Sequence, residues 1–241
     1  MRDRGMKDII DPYPLRTICI SAGIITVLAV ICIVIWRTTL EPGYEPESSE
    51  AKAKHYVEEG MKHFKQSQEE KVTAEASLYR QMARQFFESA LAYDESNVEA
   101  PVGLARTWYF DDVPENVRRA EDILCRALLR HKSAEGLRLL GFVRLSLTGT
   151  AGTPDKMKEY ADLTVLATDL AMEWNPSDPW PYVTRASVLQ YLNKLDEAKR
   201  YLKMAEHINV GHDKAVSDAI QYRRKLMEVE WHTAKAMPKE D

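Results

Sequence analysis

The stretch that decides the fold is residues 174–209, WNPSDPWPYVTRASVLQYLNKLDEAKRYLKMAEHIN. Within it Ala186, Ala198 and Ala205 are small residues at points where two helices must approach closely. Large apolar residues recur between them with a helical period, which predicts a seam between two amphipathic helices. An Asn-Pro pair precedes the first helix and Asn209 follows the second. These residues mark the helix ends, because proline cannot continue a helix and asparagine tolerates a turn. The stretch therefore predicts a helix-turn-helix unit.

This unit resembles a tetratricopeptide (TPR) repeat, which has about 34 residues. Earlier segments repeat its phase at residues 51–97, 98–132 and 134–178, where the pair Leu140-Gly141 and the ending AMEWNP match the family's pattern. In the fourth unit 12 positions separate Ala186 of the first helix from Ala198 of the second. The corresponding spacing is 23 positions in the first unit, from Gly60 to Ala83, and in the third, from Gly141 to Thr164. The extra 11 positions are close to three helical turns and therefore do not rotate the apolar face. Thr164 and Thr168 depart from the family's alanine and large apolar residue.

The resemblance implies an all-α fold. We expect a TPR-like α-solenoid of about four helix pairs over residues 51–235, closed by a C-terminal capping helix because a terminal repeat otherwise exposes its seam. Thr73 is the expected cap of the helix at 74–93, and Asp112 with Glu115 is the expected capping box around Pro114. Five residues of the capping helix are expected to face the stack: Ala215, Ala219, Tyr222, Leu226 and Val229. Five others are expected to form its polar face: Arg223, Arg224, Lys225, Glu228 and Glu230.

An uncharged apolar run at residues 17–36 precedes the repeats. Its 20 residues are enough to cross a bilayer core of about 30 Å as one transmembrane helix. A cleavable signal peptide is the competing interpretation, but the run is too long for one and no small-residue cleavage site follows it. The sequence therefore predicts a retained anchor at 17–36, a linker at 37–50 and a short tail at 236–241.

Basic residues predict how the anchor is oriented. Arg2, Arg4, Lys7 and Arg16 precede the run, whereas only Arg37 follows it closely. By the positive-inside rule, residues 1–16 are expected in the cytoplasm and the repeats across the membrane. In a bacterium this is the periplasmic face of the inner membrane; an organelle membrane is the alternative.

The residues that carry chemistry form no recognised catalytic or metal-binding motif. The six histidines make neither an HExxH motif nor a Cys/His pair at zinc spacing. The acidic pair Asp111-Asp112 is expected to cap helix ends, and Cys125 is expected to be a small buried residue on an apolar helix face. A net charge of −4 with no basic stripe argues against nucleic acid as a partner. We therefore expect a protein that is not an enzyme and has no cofactor or metal.

The family resemblance also implies where partners bind. TPR superhelices bind through a concave groove lined by their first helices, and the clamp residues that recognise carboxyl-terminal tails are absent here. Transferring the groove positions gives eight main candidates: Phe64, Arg106, Tyr109, Arg138, Phe142, Trp180, Gln190 and Tyr191. The same phase adds Val57, Met61, Val102, Phe110, Leu145 and Val183. Aromatic and arginine side chains of this kind suit a peptide or a partner helix.

The function that follows is a membrane-anchored adaptor that organises or helps assemble an envelope complex. One alternative is a structural accessory subunit of a large respiratory, photosynthetic or secretion complex, with helix-helix contacts in the membrane. Others are an organelle import receptor whose repeats face the cytosol and, more remotely, an enzyme that uses the groove as its active site.

Overall fold

The computed structural model describes residues 48–111, 113–211 and 213–236, with side chains as far as residue 228. Across these ranges all regular structure is helical. The helices are α1 Ser49–Glu69, α2 Thr73–Tyr93, α3 Glu99–Tyr109, α4 Pro114–Arg130, α5 Ala134–Gly149, α6 Pro154–Trp174, α7 Trp180–Tyr191, α8 Leu195–Ile208 and α9 Lys214–Ala236. None of the described helices is long and apolar enough to span a bilayer. The anchor expected at 17–36, the segment before it, nearly all of the linker and most of the tail lie outside the described residues.

The helices pack in chain order as antiparallel pairs, and α9 packs against both members of the last pair. The odd-numbered helices also contact one another in succession, so they form one continuous face of the stack. This is the predicted solenoid of four pairs with a capping helix. Helices α1, α2 and α6 have 21 residues each, whereas α3 and α7 have 11 and 12, in agreement with the longer spacing of the first and third units.

Buried apolar side chains form three clusters along the stack. The first joins α1, α2 and α3, the second joins α3 to α6, and the third joins α7, α8 and α9. The alanines that predicted close helix contact, Ala186, Ala198 and Ala205, are all fully buried in the third cluster. Each unit is therefore stabilised by its neighbours, as expected for a repeat protein.

Phe87 is the packing centre between the first two units. Its ring is fully buried and lies against two glycines, Gly60 on α1 and Gly103 on α3. A Cβ atom built at Gly60 would lie 2.8 Å from the ring, and one built at Gly103 would lie 2.4 Å from it. Only glycine therefore fits on either side of this ring.

The corresponding position between the third and fourth units is filled by Thr168. A Cβ atom at Gly141 would lie 3.4 Å from the Thr168 methyl carbon and 3.6 Å from that of Thr184, which is ordinary contact. The hydroxyl of Thr168 donates to the carbonyl of Thr164 at 3.0 Å, and that of Thr164 donates to the carbonyl of Tyr160 at 2.7 Å. Because these buried hydroxyls are satisfied within their own helix, the two threonines are compatible with a regular α6.

Two predicted helix caps were wrong. The N-cap of α2 is Val72, and Thr73 is already the first residue of the helix. The N-cap of α4 is Val113, without a side-chain hydrogen bond, although Pro114 does occupy the first helical position as predicted. Asp112 lies outside the described residues.

The predicted register of the capping helix was also wrong, by one residue. Val216, Ile220 and Met227 are the buried residues of α9, whereas Ala215 is exposed and Tyr222 is 60% exposed. Ala219 and Leu226 are half-buried, and the side chains of Val229 and Glu230 lie beyond those described. The apolar stripe that faces the stack therefore starts at Val216.

Candidate protein-binding groove

The first helix of each pair contributes side chains to a groove along the continuous face of the stack. It contains two adjoining cavities of about 430 and about 480 Å3, which share Tyr109, Phe142 and Trp180. The smaller one, called here the apolar cavity, is also lined by Phe64, Arg106, Phe110, Arg138 and Leu139. The larger, called the polar cavity, is also lined by Leu145, Ser146, Gly149, Thr150, Val183, Ser187, Tyr191, Ala219, Tyr222 and Arg223.

Aromatic contacts hold the walls of the apolar cavity. The ring of Phe142 meets that of Trp180 edge to face, with centroids 5.5 Å apart at an interplanar angle of 74°. At the other end Phe64 and Phe110 meet in the same way, at 5.4 Å and 68°. Such edge-to-face pairs are favourable arrangements for aromatic rings. The cavity is thus formed before any ligand binds.

Two arginines beside the apolar cavity are already paired with carboxylates. Arg106 donates to Glu135, and Arg138 lies 3.6 Å from the same oxygen, Oε1. The other terminal nitrogen of Arg138 lies 3.4 Å from Oδ2 of Asp178. These acidic groups compensate much of the positive charge that the sequence placed in the groove.

Arg223 is the cation of the polar cavity. Its guanidinium carbon lies 5.9 Å from the centroid of the Tyr222 ring, and none of the described carboxylates forms a salt bridge with it. The next residue, Arg224, instead pairs with Glu206 at 2.6 Å, outside both cavities. The two adjacent arginines of α9 therefore have different surroundings.

Seven of the eight main sequence candidates line one or both cavities, and Gln190 lines neither. Among the additional positions, Phe110, Leu145 and Val183 also line one of these two cavities. Val57, Met61 and Val102 line a further cavity of about 220 Å3, which also includes Arg106. The cavity residues that the sequence did not predict are Leu139, Ser146, Gly149, Thr150, Ser187, Ala219, Tyr222 and Arg223. The last three belong to the capping helix, which the family's groove positions do not include, and the one-residue register error also placed Arg223 on the polar face.

The described residues offer no group of three or more metal-ligating side chains. Asp111, expected as a helix cap, instead forms a structural cluster: its carboxylate accepts from Arg84, from Arg80 Nε at 2.7 Å and from Asn116 Nδ2 at 3.3 Å. All three ion-pair partners are mostly buried, which ties α2 to the loop after α3.

Cys125 is half-buried rather than fully buried. Desolvation raises the pKa of its thiol, and the nearby Glu121 carboxylate raises it further, whereas Arg144 opposes the shift. A terminal nitrogen of Arg144 lies 3.6 Å from the Cys125 sulfur. Because burial dominates, the thiol stays protonated at neutral pH and is a poor nucleophile.

Comparison with solved structures agrees with this arrangement of helix pairs. The crystal structure of TTC0263, a thermophilic TPR protein from Thermus thermophilus, superposes with a TM-score of 0.61 at 20% identity, covering 73% of this chain and 82% of that one. The fold is TPR-like. Two MamA structures also match, one with a TM-score of 0.48 at 19% identity over 73% of this chain and 87% of that chain. The other has a TM-score of 0.49 at 18% identity over 79% and 98%. No protein-family model and no curated protein sequence matches the chain.

Proposed function

We propose that this chain is a non-enzymatic TPR-like scaffold that binds other proteins through its groove. The observation that carries the proposal is the pair of adjoining cavities joined by Tyr109, Phe142 and Trp180. Protein-binding hot spots are enriched in tyrosine, tryptophan and arginine and lie in pockets that lose water on binding. A preformed aromatic cavity also lowers the ordering cost of binding.

We propose further that residues 17–36 hold this scaffold at a membrane, with the amino terminus in the cytoplasm and the repeats in the periplasm. The support is the uncharged length of the run and the excess of basic residues before it. A scaffold placed at the outer face of the inner membrane is suited to assisting the assembly or organisation of an envelope complex.

Site-specific crosslinking in cells tests whether the groove is used. A photoreactive amino acid replaces Tyr191, a 44% exposed groove residue, or Leu129, which is 88% exposed and lines neither cavity. We expect discrete crosslinked proteins from position 191 that are absent from position 129. Crosslinks from position 129 alone would contradict binding through the groove.

Topology is tested independently of binding. A reporter that is active only after export, fused after Asp241, is expected to be active, and the protein is expected to stay in the membrane after alkaline extraction. Activity of a cytoplasm-specific reporter at the same position would show the opposite orientation. Release of the protein by alkali would contradict a membrane anchor.

The main alternative is a structural accessory subunit of a large membrane complex. It would associate chiefly through the membrane segment, so residues 48–241 alone should then lose all partners. These residues form one compact unit with its own core. If the protein binds through its groove, residues 48–241 alone should therefore retain the partners.

A further inference from the structure

We propose that the groove recognises a peptide segment in which a bulky apolar side chain lies close in sequence to a carboxylate. The apolar side chain occupies the apolar cavity, and the carboxylate pairs with Arg223 in the polar cavity. This inference rests on the proposed binding function and specifies the chemistry of its partner.

The apolar half of the segment follows from the shape and lining of the apolar cavity. Its space of about 430 Å3 is walled mainly by five aromatic side chains and a leucine, between the edge-to-face pairs described above. Aromatic side chains bury about 150–250 Å2 each and favour edge-to-face neighbours. Phe110 leaves 43% of its surface exposed at this cavity, so a ligand side chain has apolar area to cover.

The acidic half follows from the distribution of charge. Glu135 and Asp178 hold Arg106 and Arg138, so these two cations offer little to a ligand carboxylate. Arg223 lines the adjoining cavity without an ion pair to a described carboxylate. Arginine binds carboxylates through a planar fork of donors, and such bonds are stronger than those between neutral groups. The same cavity is also lined by Ser146, Thr150 and Ser187.

The two halves fit one short segment because the cavities share three rings. Side chains at alternate positions of an extended peptide point the same way and lie roughly 7 Å apart, at about 3.3 Å per residue. One such peptide can therefore place the side chains of two alternate positions in the two cavities. A basic residue in the polar cavity would face Arg223 with like charge, which disfavours wrong partners.

The test selects a library of random 12-residue peptides displayed on their own messenger RNA. The bait is the full chain in mild detergent, tagged at its amino terminus. We expect the enriched peptides to pair an aromatic residue or leucine with aspartate or glutamate one to three positions away, in one consistent order. The acidic residue should be enriched at least threefold over the starting library. Replacing that residue by its amide in the best peptide should weaken binding about tenfold, as measured by fluorescence anisotropy.

The charge reversal Arg223→Glu should turn the acidic preference into one for lysine and arginine. Arg223→Gln should remove the preference while retaining the apolar one. Lys225→Glu is the matched control: it makes the same charge change two residues away on an exposed position outside both cavities, and it should leave the selection unchanged. Phe110→Ala should weaken enrichment of the apolar residue.

Three results would overturn the proposal. They are apolar peptides without an acidic bias, an acidic bias that Arg223→Glu leaves intact, and no enrichment by the full chain. The first two leave the scaffold function standing, since peptides still bind the groove. If the full chain enriches no peptides but position 191 still crosslinks to proteins in cells, the scaffold function stands and the peptide specificity fails. If those crosslinks are also absent, both proposals fail.

Discussion

Replacing Gly103 by alanine is expected to destabilise the helical unit, whereas the same change at Gly141 is expected to stabilise it. The new Cβ atom at position 103 would lie 2.4 Å from both Cε1 and Cζ of Phe87. The ring cannot retreat toward α1, because it is fully buried and already lies against Gly60. At position 141 the new atom would meet only threonine methyl groups at normal contact distance.

The magnitudes follow from two opposing effects. Overpacking a close-packed core costs about 1–3 kcal/mol, and alanine in place of a helical glycine contributes up to about 1 kcal/mol. For Gly103→Ala the clash is larger than the propensity gain, so we expect a net loss of about 1–2 kcal/mol. For Gly141→Ala the propensity gain remains, and we expect about 0.5 kcal/mol of added stability.

The assay is thermal unfolding of residues 48–241, followed by circular dichroism at 222 nm. A change of 1 kcal/mol shifts the midpoint by about 2–4 °C in a domain of this size. We therefore expect Tm to fall by about 3–6 °C for Gly103→Ala and to rise by about 1–2 °C for Gly141→Ala. Phe87→Leu should cost less in the Gly103→Ala background than in the wild type, because the smaller side chain relieves the clash. Equal Tm values for the two alanine variants would refute the packing argument.

Three further predictions concern charged groups. Asp111→Asn should lower the free energy of unfolding by about 3 kcal/mol in urea titrations, because it leaves two mostly buried arginines of α2 without their carboxylate; a loss below about 1 kcal/mol would contradict this account. Alkylation of Cys125 in residues 48–241 should begin at higher pH than that of free cysteine, because burial raises its pKa. The contribution of this thiol to stability is accordingly lost as the pH rises above the usual thiol range. Alkylation at the same pH as free cysteine would contradict the burial of Cys125. Hydrogen bonding to Arg224 lowers the pKa of the Glu206 carboxyl, but both side chains are largely solvated. Glu206→Gln should therefore change the free energy of unfolding by less than about 0.5 kcal/mol at pH 7. The small contribution of Glu206 is lost as the pH falls below the usual carboxyl range, and a larger effect at neutral pH would show that the pair is not screened by solvent.

The repeated phase of the sequence was enough to predict the helix pairs and most of the groove lining. Ala186 and Ala198 lie where two helices touch, and only small residues fit such a contact, so their spacing predicts the pairing directly. The threonine at position 168 obscured the same signal in α6. Its hydroxyl bonds within its own helix, which a pattern of apolar residues does not reveal.

Other features could not be predicted from periodicity alone. The capping helix lies outside the repeats, so the repeat pattern does not set its phase, and stripes beginning at Ala215 or at Val216 are both helical. Arg106 and Glu135 lie 29 positions apart in the chain, so only the folded structure shows their pairing. The register error in α9 is the reason that Arg223, the groove cation not paired with a described carboxylate, was predicted on the polar face.

The seam between the third and fourth units has a consequence for local unfolding. Buried hydroxyls of Thr168, Thr184 and Ser187 lie there, and each bonds to a carbonyl of its own helix. The apolar cluster of α7 to α9 shares no residue with the other two clusters, whereas those two share Trp108 and Ile123. We therefore expect the amide hydrogens of α7 to α9 to exchange through a separate partial opening, before those of α1 to α6.

A ligand that contacts both Phe142 and Trp180 bridges this seam, because one ring belongs to α5 and the other to α7. Binding then adds a further link between two segments that we expect to open separately, beside the contacts of Arg185 with Val165 and Asp169. The carboxyl-terminal third of the stack should gain protection from exchange on binding, while α1 and α2 gain little. Ligand binding in the groove should therefore make the repeat array unfold more cooperatively.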